Sequence, residues 1–93
     1  MALRFAWDVT KALANVRRHG ITFAEAATAF GDPLSITIPD PAHSVDEEHF
    51  ILIGRTVQHN VVVVAHVERG DTIRLISARP ASRRERIDYE EGQ

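Results

Sequence analysis

The chain has 93 residues, 44% of them apolar and 26% charged, with a formal net charge of −2 and no cysteine. A protein of this length buries only about two-thirds of its unfolded surface, so it reads as one domain, residues 1–93, that binds its ligands on a face or in a shallow groove. The missing cysteines exclude disulfides and thiolate metal sites, the mild negative charge argues against indiscriminate nucleic-acid binding, and no apolar run nears the roughly 20 residues of a membrane-crossing helix, which together suggest a cytoplasmic globular protein.

In chain order, "RFAW" (4–7) is a short extended lead-in whose Phe5 and Trp7 tie it to the core. Asp8 caps a helix from Val9 to Arg18, because its carboxylate accepts from free amides of the first turn, and the cations of "VRRHG" before Gly20 suit the negative end of the helix dipole. Thr22 and Glu25 predict a capping box for a second helix, Phe23 to Phe30. The period then becomes extended. "LSITI" (34–38), "HFILIGRTV" (49–57), "NVVVVAHV" (60–67) and "TIRLISAR" (72–79) are four candidate strands, with a proline-interrupted acidic loop between the first two. Pro80 cannot donate to a ladder and ends the fourth, after which "ASRRERIDYEE" (81–91) is a closing helix.

The expected fold is therefore α+β: two N-terminal helices, a four-stranded antiparallel sheet joined by short turns, and a C-terminal helix. The run "VVVV" is apolar on both faces, which marks a central strand covered on both sides. One cover is the helix pair; the other is the last helix, a second subunit or a partner protein.

Charge is unevenly distributed. Five carboxylates and no lysine or arginine lie between Asp32 and Glu48, whereas six arginines meet two acids between Arg69 and Arg86. Of the eleven basic residues only Lys11 is a lysine, and the flat five-donor guanidinium is suited to phosphate. Genome composition and surface ion pairing would produce the same bias.

Three segments, "WDVTKALANVRRHGITFAEAATAF", "DPAHSVDEEHFILIG" and "RLISARPASRRERIDYE", resemble the BrnT family of type II toxin-antitoxin toxins over nearly the whole chain. The resemblance rests on Trp7-Asp8 with Lys11 and Asn15, His19-Gly20 before Phe23 and Glu25-Ala26, the acidic loop with His43, Arg74, Ser77-Ala78-Arg79, and Glu85-Arg86 with Tyr89. It implies a RelE-like fold, ribonuclease activity that stops translation, and neutralisation by a BrnA-like ribbon-helix-helix antitoxin, in a complex that meets operator DNA only through the antitoxin. Two positions depart from the family pattern, His49 and Pro80, and both remove a positive charge.

Metal-independent RNA cleavage uses the neighbouring 2′-hydroxyl as nucleophile, so it needs a base, cations for the developing charge and an acid for the leaving oxygen. The catalytic candidates are His66, Arg74, Arg79 and Tyr89; the candidate RNA-binding residues are Lys11, Arg55, Arg69, Arg83 and Arg86, and no metal or cofactor is expected. Histidine is the side chain that titrates near neutrality, and Tyr89 is able to donate to a leaving group or stack on a base. Arg74 and Arg79 stand at odd spacing, so a regular strand points them opposite ways unless a bulge or the strand end re-aims Arg79. A three-residue Arg69-Gly70-Asp71 loop sets His66 opposite Arg74 and is favoured over a two-residue Arg69-Gly70 turn, which sets it opposite Ile73. Structural roles compete throughout: His66 as a packed sheet residue, Tyr89 as a packing residue of the last helix, Asp8 and Glu25 as caps, and His19, His43 and His59 as helix-end or loop groups. The alternative function is a catalytically weak antitoxin-binding module that acts in a DNA-binding co-repressor complex, which the charges lost at His49 and Pro80 favour.

Overall fold

The computed structural model describes residues 3–92. In chain order it contains β1 (Arg4–Ala6), α1 (Val9–His19), α2 (Phe23–Thr28), a 3-10 turn (Ala29–Gly31), β2 (Ile36–Pro39), a second 3-10 turn (Pro41–His43), β3 (His49–Arg55), β4 (Val61–Arg69), β5 (Thr72–Pro80) and α3 (Arg83–Glu91). The caps form where local chemistry demands them. The Asp8 carboxylate accepts from the Lys11 amide at 3.0 Å, Gly20 ends α1 at φ 72°, and the Thr22 hydroxyl accepts from the Glu25 amide at 3.0 Å. The expected capping box at Thr22 is only half made. The Glu25 carboxylate turns away to accept from the Thr56 hydroxyl at 2.8 Å and the Asn60 amide at 2.7 Å, so it braces the β3–β4 turn instead of its own helix. The complete capping box is at Ser82 and Glu85, at the start of α3.

The sheet has five strands in the order β1-β5-β4-β3-β2 rather than the four antiparallel ones expected. The lead-in segment supplies the extra strand. Arg4, Phe5 and Ala6 pair in parallel with Thr72, Ile73 and Arg74, and the Arg4 amide donates to the Asp71 carbonyl at 2.8 Å. A parallel partner is available because most of the chain separates β1 from β5, leaving no hairpin to impose direction. At the opposite edge, Pro39 ends β2, where a missing donor does least harm.

Register fixes what each face carries. β4 is the centre of the sheet, and Val62, Val64 and His66 point to one side, where Leu52, Leu75 and Ala78 join Phe23, Ala26 and Ala29 in the core beneath α1 and α2. Gly54 is required there, since an added Cβ would sit 3.0 Å from the Ala29 carbonyl oxygen. Val61, Val63 and Val67 face the other side and are also buried. The last helix is part of their cover: Glu85 of α3 holds Arg79, the ladder partner of Val63, and a Cβ on Gly92 would lie 3.3 Å from Ile36 Cδ1.

The β4–β5 hairpin corrects both expected registers. Arg69 pairs with Thr72, leaving the two-residue loop Gly70-Asp71, and His66 stands opposite Leu75. Gly70 at φ 62° occupies the first loop position, where a II′ turn requires it. Further along, Ala65 pairs with Ser77, so Ile76 is an extra residue that bulges β5. The bulge cancels the odd spacing of the two strand arginines: Arg74 pairs with Val67 and Arg79 with Val63, both on the face opposite α1 and α2.

Candidate nucleic-acid interface

One groove, of about 740 Å³, opens where the β3–β4 turn and the end of β5 meet α3 and the C-terminal end of α1. Arg55, Arg83, Arg86 and His59 line it beside a single carboxylate, Glu90. The three guanidiniums arrive from different causes. Arg55 ends β3, and its guanidinium lies 5.9 Å from the centroid of the Tyr89 ring. Arg83 and Arg86 sit in the first turns of α3, whose start is fixed by the Ser82 cap. With three cations to one acid, the groove is positive although the chain is not.

Tyr89 and Asp32 form the support behind Arg55. The buried phenol donates to the Asp32 carboxylate at 2.5 Å, and the Arg55 backbone amide donates to the same oxygen at 2.8 Å. Burial disfavours the Asp32 charge, yet these bonds and one from the Leu34 amide outweigh it and hold the carboxyl below its ordinary range. Burial, then the bond to Asp32, raises the Tyr89 phenol above its usual value. The phenol is thus tied to Asp32 beneath the Arg55 guanidinium.

A second concavity, of about 360 Å³, lies on the sheet face. Ile51, Val63, Ala65 and Ile76 form its floor, and His43, His49 and Arg79 stand on its rim. The Arg79 fork grips Glu85 at 2.7 and 2.9 Å. That fork, against the opposing effect of burial and with help from Ser82, pushes the Glu85 carboxyl down to about 2. Glu85 is therefore both a partner in the Ser82 capping box and the anchor of Arg79.

The structure brings together Arg55, Arg83 and Arg86 and separates the other candidates. Arg74 and Arg79 share a face, but their ladder partners Val67 and Val63 are four residues apart on β4, about 13 Å at the usual rise, so they would reach different phosphates. Arg74 has no ion pair among the described residues. Arg69 is held by Glu47 through bonds of 2.8 to 3.0 Å, and Lys11 is exposed on α1 and lines neither groove. His66 lies on the helix-side face at 0% exposure, across the sheet from Arg74 and Arg79. Its ring stacks on Phe50 and meets Phe30 edge-on, and its nitrogens face the Val64 carbonyl and Glu68.

Two residues carry more weight than their sequence context suggests. Asn15, buried in α1, donates to the Ile21 and Ala78 carbonyls at 2.9 and 2.8 Å and accepts from the Ala78 amide at 3.0 Å, so it locks α1 onto β5 beside Arg79. Its signal was a poor helix former on the same face as Ala12. His59 is the other; its residue type and its place in a polar turn, "TVQHN", were visible, but the groove beneath it was not.

The fold is thus a small mixed sheet with paired helices on one face and a cationic groove beside the closing helix. The sequence signature described as "Ribonuclease toxin, BrnT, of type II toxin-antitoxin system" matches residues 7–85, and the chain belongs to that family. The fold is similar to the crystal structure of the Brucella abortus ribonuclease toxin, BrnT, with a TM-score of 0.68 at 22% identity, over 88% of this chain and 100% of that one. No functionally curated protein matches the sequence. Membership makes this chain a toxin of the ribonuclease type, with RNA as substrate and an antitoxin as partner. Among the described residues no helix is long and apolar enough to cross a membrane.

Proposed function

We propose that the protein is a cytoplasmic endoribonuclease that cuts RNA without a metal ion and so stops translation, and that a ribbon-helix-helix antitoxin of the BrnA kind silences it. The observation that carries this reading is the convergence of Arg55, Arg83 and Arg86 on one groove. Guanidiniums neutralise phosphate and stabilise the charge that builds up on phosphorus as the 2′-oxygen attacks. The same three cations repel a divalent ion, so the groove supplies the positive charge that a metal would otherwise bring. Arg74, on the sheet face and with no ion pair among the described residues, would hold a further phosphate of the same strand.

The test is incubation of purified protein with a long single-stranded RNA in EDTA. The expected result is a ladder of internal cuts that disappears on addition of the antitoxin. Intact RNA under EDTA with cleavage restored by magnesium would refute metal independence. The alternative, a weakly catalytic module that works mainly by binding antitoxin at operator DNA, draws on one observation: Arg69 and Arg79 are already neutralised by Glu47 and Glu85. It expects no growth arrest when the chain is expressed alone.

A further inference from the structure

We propose that His59 is the base that starts RNA cleavage in the cationic groove; this rests on the ribonuclease reading above. The charged and titratable groups that line the groove with it are Arg55 from β3 and Arg83, Arg86 and Glu90 from α3. A guanidinium has no lone pair free to accept a proton, and of the remaining side-chain types imidazole is the one most often used as a general base, which leaves His59 for the role. The other candidates are engaged elsewhere: His66 is sealed in the core, Tyr89 donates to Asp32, and Glu85 is held by Arg79.

The backbone adds an independent observation. His59 sits at φ 68°, the one non-glycine residue with positive φ among those described, while the two other left-handed positions, at φ 72° and 62°, are Gly20 and Gly70. A Cβ disfavours this conformation, and histidine is, with asparagine and aspartate, among the non-glycine residues that adopt it most often. The histidine is held in it by an over-determined loop. The Thr56 amide donates to the Asn60 carbonyl, the His59 amide to the Thr56 carbonyl, and Glu25 grips both Thr56 and Asn60 from α2. These bonds set the backbone of His59 beside the positive groove, with its imidazole exposed on the groove wall.

In the reaction the imidazole accepts the 2′-hydroxyl proton and the 2′-oxygen attacks the adjacent phosphorus. The bond from phosphorus to the 5′-oxygen breaks, leaving a 2′,3′-cyclic phosphate. The departing 5′-oxygen takes a proton from water, and the imidazolium returns its proton to the resulting hydroxide. Arg55, Arg83 and Arg86 hold the phosphate throughout.

The experiment compares the full chain with His59→Gln and His59→Gly on a single-stranded RNA. A catalytic base predicts kcat lower by about a hundredfold with KM changed less than about threefold, loss of the acidic limb of the pH profile, and partial rescue of His59→Gly by added imidazole. His59→Gly relieves the backbone, so its melting temperature should equal or exceed that of the parent, which separates catalysis from folding. A variant that keeps a third or more of the parent kcat, or an unchanged pH profile, overturns the assignment and leaves the ribonuclease reading intact. A parent protein that leaves RNA uncut overturns both.

Discussion

Asn15 offers the most direct test of how the fold fixes its charged face. It is 6% exposed and makes three hydrogen bonds, two to Ala78 of β5 and one to the Ile21 carbonyl. Asn15→Leu removes all three and fills the space with an apolar chain, so one amide and two carbonyls are deprived of their buried partner. At about 1 kcal/mol for each missing bond, and more for any group left dry, the cost is about 3 to 4 kcal/mol. A domain of this size has only about 5 to 15 kcal/mol in total, so the variant remains folded but fragile. In urea at 25 °C, with a slope of about 1.5 kcal/mol/M, the midpoint should fall by about 2 M. Asn15→Asp is the informative companion: its carboxylate still accepts from the Ala78 amide but repels both carbonyls, so it should be no better than leucine near neutral pH. A midpoint shift under about 0.5 M for Asn15→Leu would show that the α1–β5 lock contributes little and that apolar packing alone sets the position of β5.

Three more outcomes follow from the geometry. Arg83→Gln and Arg86→Gln should each weaken RNA binding and make the plot of log K against log salt less steep by about 0.7 for each phosphate that is no longer neutralised, measured by fluorescence anisotropy. Glu85→Gln should destabilise by about 1 kcal/mol at pH 7, a figure discounted because the Arg79 side chain is 43% exposed. The folded Glu85 carboxyl is depressed from 4.5 to about 2, so its contribution is complete above the ordinary value and fades as pH falls toward 2; melting curves should converge there, and a constant offset from pH 2 to 5 would contradict the assignment. Gly54→Ala places its Cβ 3.0 Å from the Ala29 oxygen and 3.1 Å from Leu52 Cδ2, and should cost about 1 to 3 kcal/mol by thermal melting.

Local chemistry made much of this fold legible. Asp8, Gly20, Thr22 and Pro80 mark element ends through interactions with their own neighbours, and each end falls within a residue or so of its expected place. What stayed hidden depended on distant partners. Three residues of β1 carry no period, and only β5, nearly 70 positions later, makes them a strand. The bulge at Ile76 left a trace, since the core-facing residues run Ile73, Leu75, Ala78, two apart and then three, but Ala78 could be recognised as core only once α1 was seen above it. His66 shares parity with Val62 and Val64; because "VVVV" is apolar on both faces, parity alone did not tell which face met the helices. The candidate site divided the same way. Arginine richness was visible, whereas the grouping of Arg55 with Arg83 and Arg86 needed the fold-back of α3 onto the end of β3.

That fold-back depends on the bulge. In a regular ladder Arg79 would take the parity of Val62 and Val64 and point at α1 and α2, where no carboxylate among the described core residues waits for it. The extra residue returns Arg79 to the face of Val63, where it meets Glu85, while Asn15 pins the neighbouring Ala78 from the other side. The Arg79–Glu85 pair and the Ser82 capping box then fix the first turn of α3, the turn that carries Arg83 and Arg86 into the groove. An exposed ion pair contributes little to stability by itself, but this one sets the direction of a helix. The cationic groove is therefore assembled from the strand outward, and Arg79 shapes it by orienting α3 rather than by lining its wall.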